Sequence, residues 1–194
     1  MIKSIDFYFD VISPYAFIAH EKIKRIVNKN KIIFNYKPIL LGGLHNLQNI
    51  IPPAFNKHKM KNMINDCNLI SKKNDIEFKW NNNFPINSLS IMRGYLFVNH
   101  NEKKEYLDNF FCAYWKNNID LSNVKNFELI LKDLDIDINY FFKEIKNEKI
   151  KDQLKHLTNE AFNKEVFGTP TFIANNKIFW GQDRLEYAVD EMLI

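Results

Sequence analysis

The sequence predicts an α/β protein in which one sheet domain is split by an all-helical insertion. Three observations predict it. Residues 5–38 read as strand, helix and strand; residues 56–163 carry helical periodicity almost throughout; and residues 167–193 return to two short strands and a helix. The expected division is 1–45 and 164–194 for the two halves of the sheet domain and 46–163 for the insertion.

The opening stretch fixes the first three elements. Ile5, Phe7 and Phe9 alternate with Asp6, Tyr8 and Asp10, the period of a strand with one buried face. Ser13 can cap a helix, because its oxygen can accept a free backbone N–H one turn in, and Pro14 suits the first helical position, where no N–H is needed. Tyr15, Ala19, Ile23, Ile26 and Val27 recur at three and four residues, with Lys22, Lys24 and Arg25 opposite, and Asn28 and Asn30 are expected to stop the helix. Ile32-Ile33-Phe34-Asn35-Tyr36-Lys37 is the second strand, closed by Pro38, and the crossover makes the two strands parallel. Residues 40–53, with Gly42-Gly43 and Pro52-Pro53, read as a loop containing at most a short helix.

The middle of the chain is a series of helices. Met60, Met63, Ile64, Cys67 and Ile70 place one over residues 56–74, and Asp75, the asparagines 81–83 and Pro85 break it from the next. Asn87 or Ser88 can cap a helix running through Leu89, Met92, Tyr95 and Leu96 to His100. Further helices carry Tyr106 to Trp115, Phe127 to Leu134, Tyr140 to Ile145 and Ile150 to Asn163. Thr171 to Ala174 and Lys177 to Trp180 then form a hairpin about Asn175-Asn176, and Asp183 is placed to cap a last helix carrying Leu185, Ala188, Val189, Met192 and Leu193.

Composition removes several classes of function. An apolar share of 46% with 26% charged residues is that of a soluble globular chain. The net charge of +4 comes from lysines interleaved with acidic residues, so no stripe for nucleic acid is expected. No run approaches membrane-spanning length, and Met1-Ile2-Lys3 leads straight into the first strand with no secretory leader; the expected place is the cytoplasm. Cys67 and Cys112 lie far apart and make neither a disulfide framework nor a Cys-x-x-Cys motif, and the five histidines lack metal-ligand spacing, so no metal is expected.

Ser13 is the residue with chemistry to offer. A helix start favours an anion, through unpaired N–H groups and aligned peptide dipoles, so a thiolate held there would be stabilised, although Ser-Pro alone also serves simply as a cap. The run Phe7-Tyr8-Phe9-Asp10-Val11-Ile12-Ser13-Pro14-Tyr15-Ala16-Phe17, the ending Val166-Phe167-Gly168-Thr169-Pro170-Thr171-Phe172 and the segment Phe179-Trp180-Gly181-Gln182-Asp183-Arg184 together resemble one family. It is the DsbA-like thioredoxin-fold family that includes periplasmic disulfide oxidoreductases, kappa-class glutathione transferases and 2-hydroxychromene-2-carboxylate isomerases. Asn87-Ser88-Leu89-Ser90-Ile91-Met92-Arg93 is similar to a stretch of the two glutathione-dependent groups, and the motifs look most like those of the isomerases.

The resemblance implies a thioredoxin-like fold with the helical insertion described, and glutathione as cofactor. Where the oxidoreductases carry Cys-x-x-Cys, this chain has Ser13-Pro14-Tyr15-Ala16, so the sulfur must come from outside and dithiol exchange is not available. Ser13 is then the catalytic residue, its hydroxyl favouring the glutathione thiolate. Thr169 and Pro170 match the family's cis-proline turn, whose backbone pairs with the cysteinyl part of glutathione; Gln182 and Asp183 match the segment that holds its γ-glutamyl end; Asn49 and Lys59 fall where the family places an amide and a lysine at the other end. The spacing of residues 42–53 departs from the family pattern, and Asn46 is the alternative to Asn49. Tyr15, Asn87 and Trp115 are candidate walls for an aromatic substrate, with core packing or capping as their ordinary roles. The implied activity is cis–trans isomerisation of an aromatic unsaturated pyruvate or its ring-closed chromene; the alternatives are a kappa-type transferase and a non-catalytic glutathione-binding protein. Related proteins are often dimers, which makes a homodimer an expectation with no interface residues attached.

Overall fold

Strand β1 (Ser4–Phe9) is flanked on both sides within a four-strand sheet, and the first motif hangs from its end. The computed structural model describes residues 3–30 and 32–193; Met1 and Ile2, named above as leading into the strand, lie outside them. Helix α1 (Pro14–Asn30) crosses to strand β2 (Ile33–Pro38), which pairs with β1 in parallel. The helix runs through Asn28 and ends at Asn30, the second of the two asparagines expected to stop it. At the other end of the chain, β3 (Thr171–Ala174) runs antiparallel to β1, and β4 (Lys177–Trp180) antiparallel to β3, giving the order β2-β1-β3-β4. The two-residue turn at Asn175-Asn176 forms as expected, both residues in the left-handed region with φ of 48° and 62°.

Between the halves stand α2 (Leu41–Leu47), α3 (Lys57–Lys73), α4 (Leu89–Phe97), α5 (Lys103–Trp115), α6 (Val124–Asp133), α7 (Ile138–Glu144) and α8 (Glu148–Asn163); α9 (Leu185–Leu193) closes the chain. Asn56 caps α3, its side chain accepting from the N–H groups of His58 and Lys59. One expectation is corrected: helix α4 ends at Phe97 rather than His100. The short helix allowed for within residues 40–53 forms as α2, through Gly42-Gly43. Two glycines weaken a helix by about 1 kcal/mol each, but the free N–H groups at this helix start find side-chain acceptors: Leu40 N–H donates to Thr158 Oγ1 at 3.0 Å and Leu41 N–H to Asp10 Oδ2 at 2.8 Å.

The sheet is covered on both faces, which the alternation in β1 understates. Ile5, Phe7 and Phe9 enter one continuous core with Phe110, Phe111, Tyr114 and Trp115 of α5, so the sheet and the inserted helices share it. Tyr8, on the other face, is also buried, under Ile39, Leu44, Ala161 and Val166. His20 and Glu21 of α1 converge with Asp108 of α5, where the Asp108 carboxylate takes up bonds from His20 Nε2 at 2.6 Å, Lys104 at 2.9 Å and Lys24 at 3.3 Å. Among the described residues no helix is long and apolar enough to cross a membrane.

Candidate active site

Ser13 sits in the bend between β1 and α1. Its oxygen accepts the Ala16 N–H at 3.2 Å, as a cap should, and its hydroxyl donates to the Thr169 carbonyl at 2.9 Å across the fold. The Thr169-Pro170 peptide is cis, as the resemblance implied. The two ends of the chain therefore meet at one hydroxyl. Helix α1 has no acidic residue in its first turn to offset the positive end of its dipole. The bend is held from behind by Trp115, whose indole N–H donates to the Val11 carbonyl at 2.8 Å.

Asp10 organises the surroundings. It is fully buried, and its carboxylate accepts from the Ile12 N–H at 3.1 Å, the Leu41 N–H at 2.8 Å and the Ser88 hydroxyl at 3.0 Å. One side chain thus ties the Ser13 bend to the starts of α2 and α4. Burial pushes its carboxyl up to about 6, against the smaller opposing pull of these three donors.

Two cavities, each of about 730 Å³, meet beside Ser13, with Tyr15, Thr169 and Trp180 lining both. The first is a cleft of mixed charge that includes Lys22, Asp66, Lys73, Gln182, Asp183 and Arg184. Lys22 donates to Gln182 Oε1 at 2.6 Å, and the Tyr15 hydroxyl donates to Asp66 at 2.7 Å. Burial first, then that bond, raises the Tyr15 phenol far above its usual range, so it stays protonated. The second cavity is largely apolar, walled by residues such as Ile12, Ile50, Ile51, Phe55, Met63 and Phe84, and Ser13 opens into it. Trp180 borders both because its indole lies over Gly168, where an added Cβ would come within 2.7 Å of the indole nitrogen.

The residues singled out from the sequence divide cleanly. Ser13, Thr169, Lys59, Asn87 and Tyr15 line the apolar cavity, while Pro170, Gln182 and Asp183, again with Tyr15 and Thr169, line the charged cleft. Asn87 also accepts the Leu89 N–H at 2.9 Å, so it does the capping while Ser88 turns to Asp10. Asn49 reaches neither cavity: it follows α2 with φ of 55° and is exposed, and Asn46 lines the apolar cavity instead. Trp115 is fully buried and lines neither, so its part is to hold the bend rather than to wall a substrate. Asp183 caps no helix; it lies within a 3-10 turn, Gln182–Arg184, and α9 starts behind it at Leu185. Asp10, Lys22 and His45 are polar groups of the site that the motifs did not single out, and the buried Thr169 Oγ1 has no partner among the described residues.

A βαβ unit and a ββα unit in one sheet, with a polar side chain at the first helix start facing a cis-proline, define a protein of the thioredoxin class. The chain belongs to the DSBA-like thioredoxin domain family, whose match spans residues 4–192. Among curated relatives, it is 22% identical to 2-hydroxychromene-2-carboxylate isomerase of Sphingobium xenophagum over 201 residues, covering 100% of both chains. It is 25% identical to glutathione S-transferase kappa 1 of Homo sapiens over 95% of this chain and 88% of that one. A solved structure of 2-hydroxychromene-2-carboxylate isomerase superimposes with a TM-score of 0.87 at 22% identity, over 97% of this chain and 94% of the other. The chain is thus related to isomerase and glutathione transferase enzymes.

Proposed function

We propose that this chain is a glutathione-dependent 2-hydroxychromene-2-carboxylate isomerase, acting on an aromatic unsaturated pyruvate. The observation that carries the reading is the Ser13 hydroxyl at the start of α1, bonded to the Thr169 carbonyl where a charged cleft and an apolar cavity adjoin. The donor set fits the cofactor. A cleft with Lys22, Lys73 and Arg184 beside Asp66, Asp183 and Glu186 suits a tripeptide bearing both carboxylates and an ammonium. No cysteine is among the described residues that line either cavity, so the chain brings no thiol of its own to them.

Bound glutathione would supply a thiolate able to add reversibly to a conjugated double bond and so make it rotatable. Ser13 and the N-terminus of α1 would favour that anion over the thiol. When the Ser13 hydroxyl turns to an anion, the Thr169 carbonyl loses its donor; a thiol carried on a peptide, with an amide N–H to give back, is therefore better matched than a simple thiol. Lys22, Gln182, Asp183 and Arg184 would hold one end of the tripeptide, and Asn46 and Lys59 the other. The apolar cavity would take the aromatic ring and exclude water, with Asn87 at its edge as a polar contact.

The test is turnover of a benzylidenepyruvate with and without glutathione, for the wild type and Ser13→Ala. Glutathione-dependent isomerisation is expected, with Ser13→Ala binding glutathione within about tenfold of wild type while turnover falls by roughly 10²–10³, as on loss of an electrostatic stabiliser. Prompt conjugation of an electrophilic aromatic halide with no isomerisation would make the chain a kappa-type transferase. No thermal stabilisation by glutathione and no thiolate absorbance would leave it non-catalytic.

A further inference from the structure

His45 stands apart from everything assigned above. It lies on α2, whose residues Leu41, Gly42, Gly43, His45 and Asn46 line the apolar cavity. Its side chain is buried to 9% exposure, and burial alone lowers its pKa below the usual histidine value; no hydrogen bond and no neighbouring charge contributes. Neither ring nitrogen is hydrogen-bonded to a described residue and neither is fully enclosed, and the residue lines the apolar cavity. The result is a neutral imidazole with unengaged nitrogens in an apolar cavity.

The other polar side chains there are committed or unsuited to accepting a proton. Ser13 donates to Thr169, Tyr15 donates to Asp66, Ser88 donates to Asp10, and Lys59 is the one cationic side chain among the described lining residues. A ring-closed chromene substrate needs such an acceptor. Its hemiketal hydroxyl must lose a proton as the bond from the hemiketal carbon to the ring oxygen breaks.

We propose that His45 carries that proton. A ring nitrogen accepts it from the hemiketal hydroxyl; the O–H electrons form the new ketone C=O, and the pair of the breaking C–O bond goes to the ring oxygen as phenolate. The imidazolium then returns the proton to the phenolate, giving the open phenol with no net change at His45. This rests on the isomerase reading, and His45 would act on the ring-opening step alone.

The experiment compares two substrates: the ring-closed chromene, and a benzylidenepyruvate without the ortho hydroxyl, which cannot close. For His45→Phe and His45→Gln, each with glutathione affinity measured by calorimetry to check the folded site, the ratio of turnover on the ring-closed substrate to turnover on the open one should fall about 10²-fold, the usual scale of a lost acid–base group. The glutamine variant keeps a polar side chain at this position without the basicity, should the phenylalanine variant fold poorly. Equal losses on both substrates, or none on either, overturn the proposal while leaving the isomerase reading intact. A wild type that isomerises neither substrate rejects both.

Discussion

Asp10 offers the sharpest physical test of how the site is built, because a carboxylate at 0% exposure with three neutral donors and no cation must pay for its charge. Moving a carboxyl from 3.8 to about 6 amounts, at 1.36 kcal/mol per decade, to about 3 kcal/mol. The sign follows from which state binds the proton more tightly. Well below pH 4, at about pH 2–3, the group is neutral in both states and the difference vanishes. Between about pH 4 and 6 the unfolded chain ionises first, so folding loses ground as pH rises, and above about 6 the full 3 kcal/mol is lost. Asp10→Asn removes the titration. Urea melts of both proteins from pH 4 to pH 8 should show the stability of the variant minus that of the wild type rising by about 2.5 kcal/mol over the range, nearly all of it below pH 7. Other carboxylates titrate alike in both proteins and cancel in the difference. The amide's Nδ2 facing the Ile12 N–H adds a constant that leaves the rise intact. A difference that stays flat within 1 kcal/mol would refute the account of Asp10 as a buried, destabilised anion.

Two further outcomes test the core. Gly94→Ala puts a methyl group of α4 into the Tyr106 hydroxyl and the Phe141 ring, both fully buried; overpacking of about 1–3 kcal/mol should lower the thermal midpoint by roughly 3–10 °C, and a midpoint unchanged within a degree would count against this packing. Burial pushes the Cys67 thiol up to about 12, leaving almost no thiolate at neutral pH, and raises that of the partly buried Cys112 too, so access decides: a disulfide reagent should label Cys112 first and Cys67 only in denaturant; equal native rates for the two would contradict it.

Local chemistry made most of the fold legible. Ser13 and Pro14 open α1, the alternation in β1 marks a strand, and Asn175-Asn176 can adopt the left-handed conformations a two-residue hairpin needs; each signal involves neighbours in sequence. What was illegible depends on chain far away. Tyr8 is buried because Ala161 and Val166 return over the second face of the sheet, and α2 forms through its glycines because Asp10 and Thr158, from distant elements, accept its first free N–H groups. No window of residues 40–47 contains either acceptor.

The candidate site divides along the same line. Ser13, Thr169 and Pro170 could be named because they lie in contiguous motifs, and the fold brings those motifs together at one hydrogen bond. Between Asn49 and its alternative Asn46 the path of α2 decides which amide lines the cavity, and for Trp115 packing prevails over the substrate wall because its indole is spent on the Val11 carbonyl. Asp10 and His45 gave no signal of their own: an acid at a strand end and a histidine in a glycine-rich stretch are unremarkable until burial sets their protonation. That is a physical asymmetry. A residue that works through its backbone position leaves a local pattern, whereas one that works through a shifted proton equilibrium depends on what covers it, and here the covers come from α2, α4 and the Ser13 bend at once.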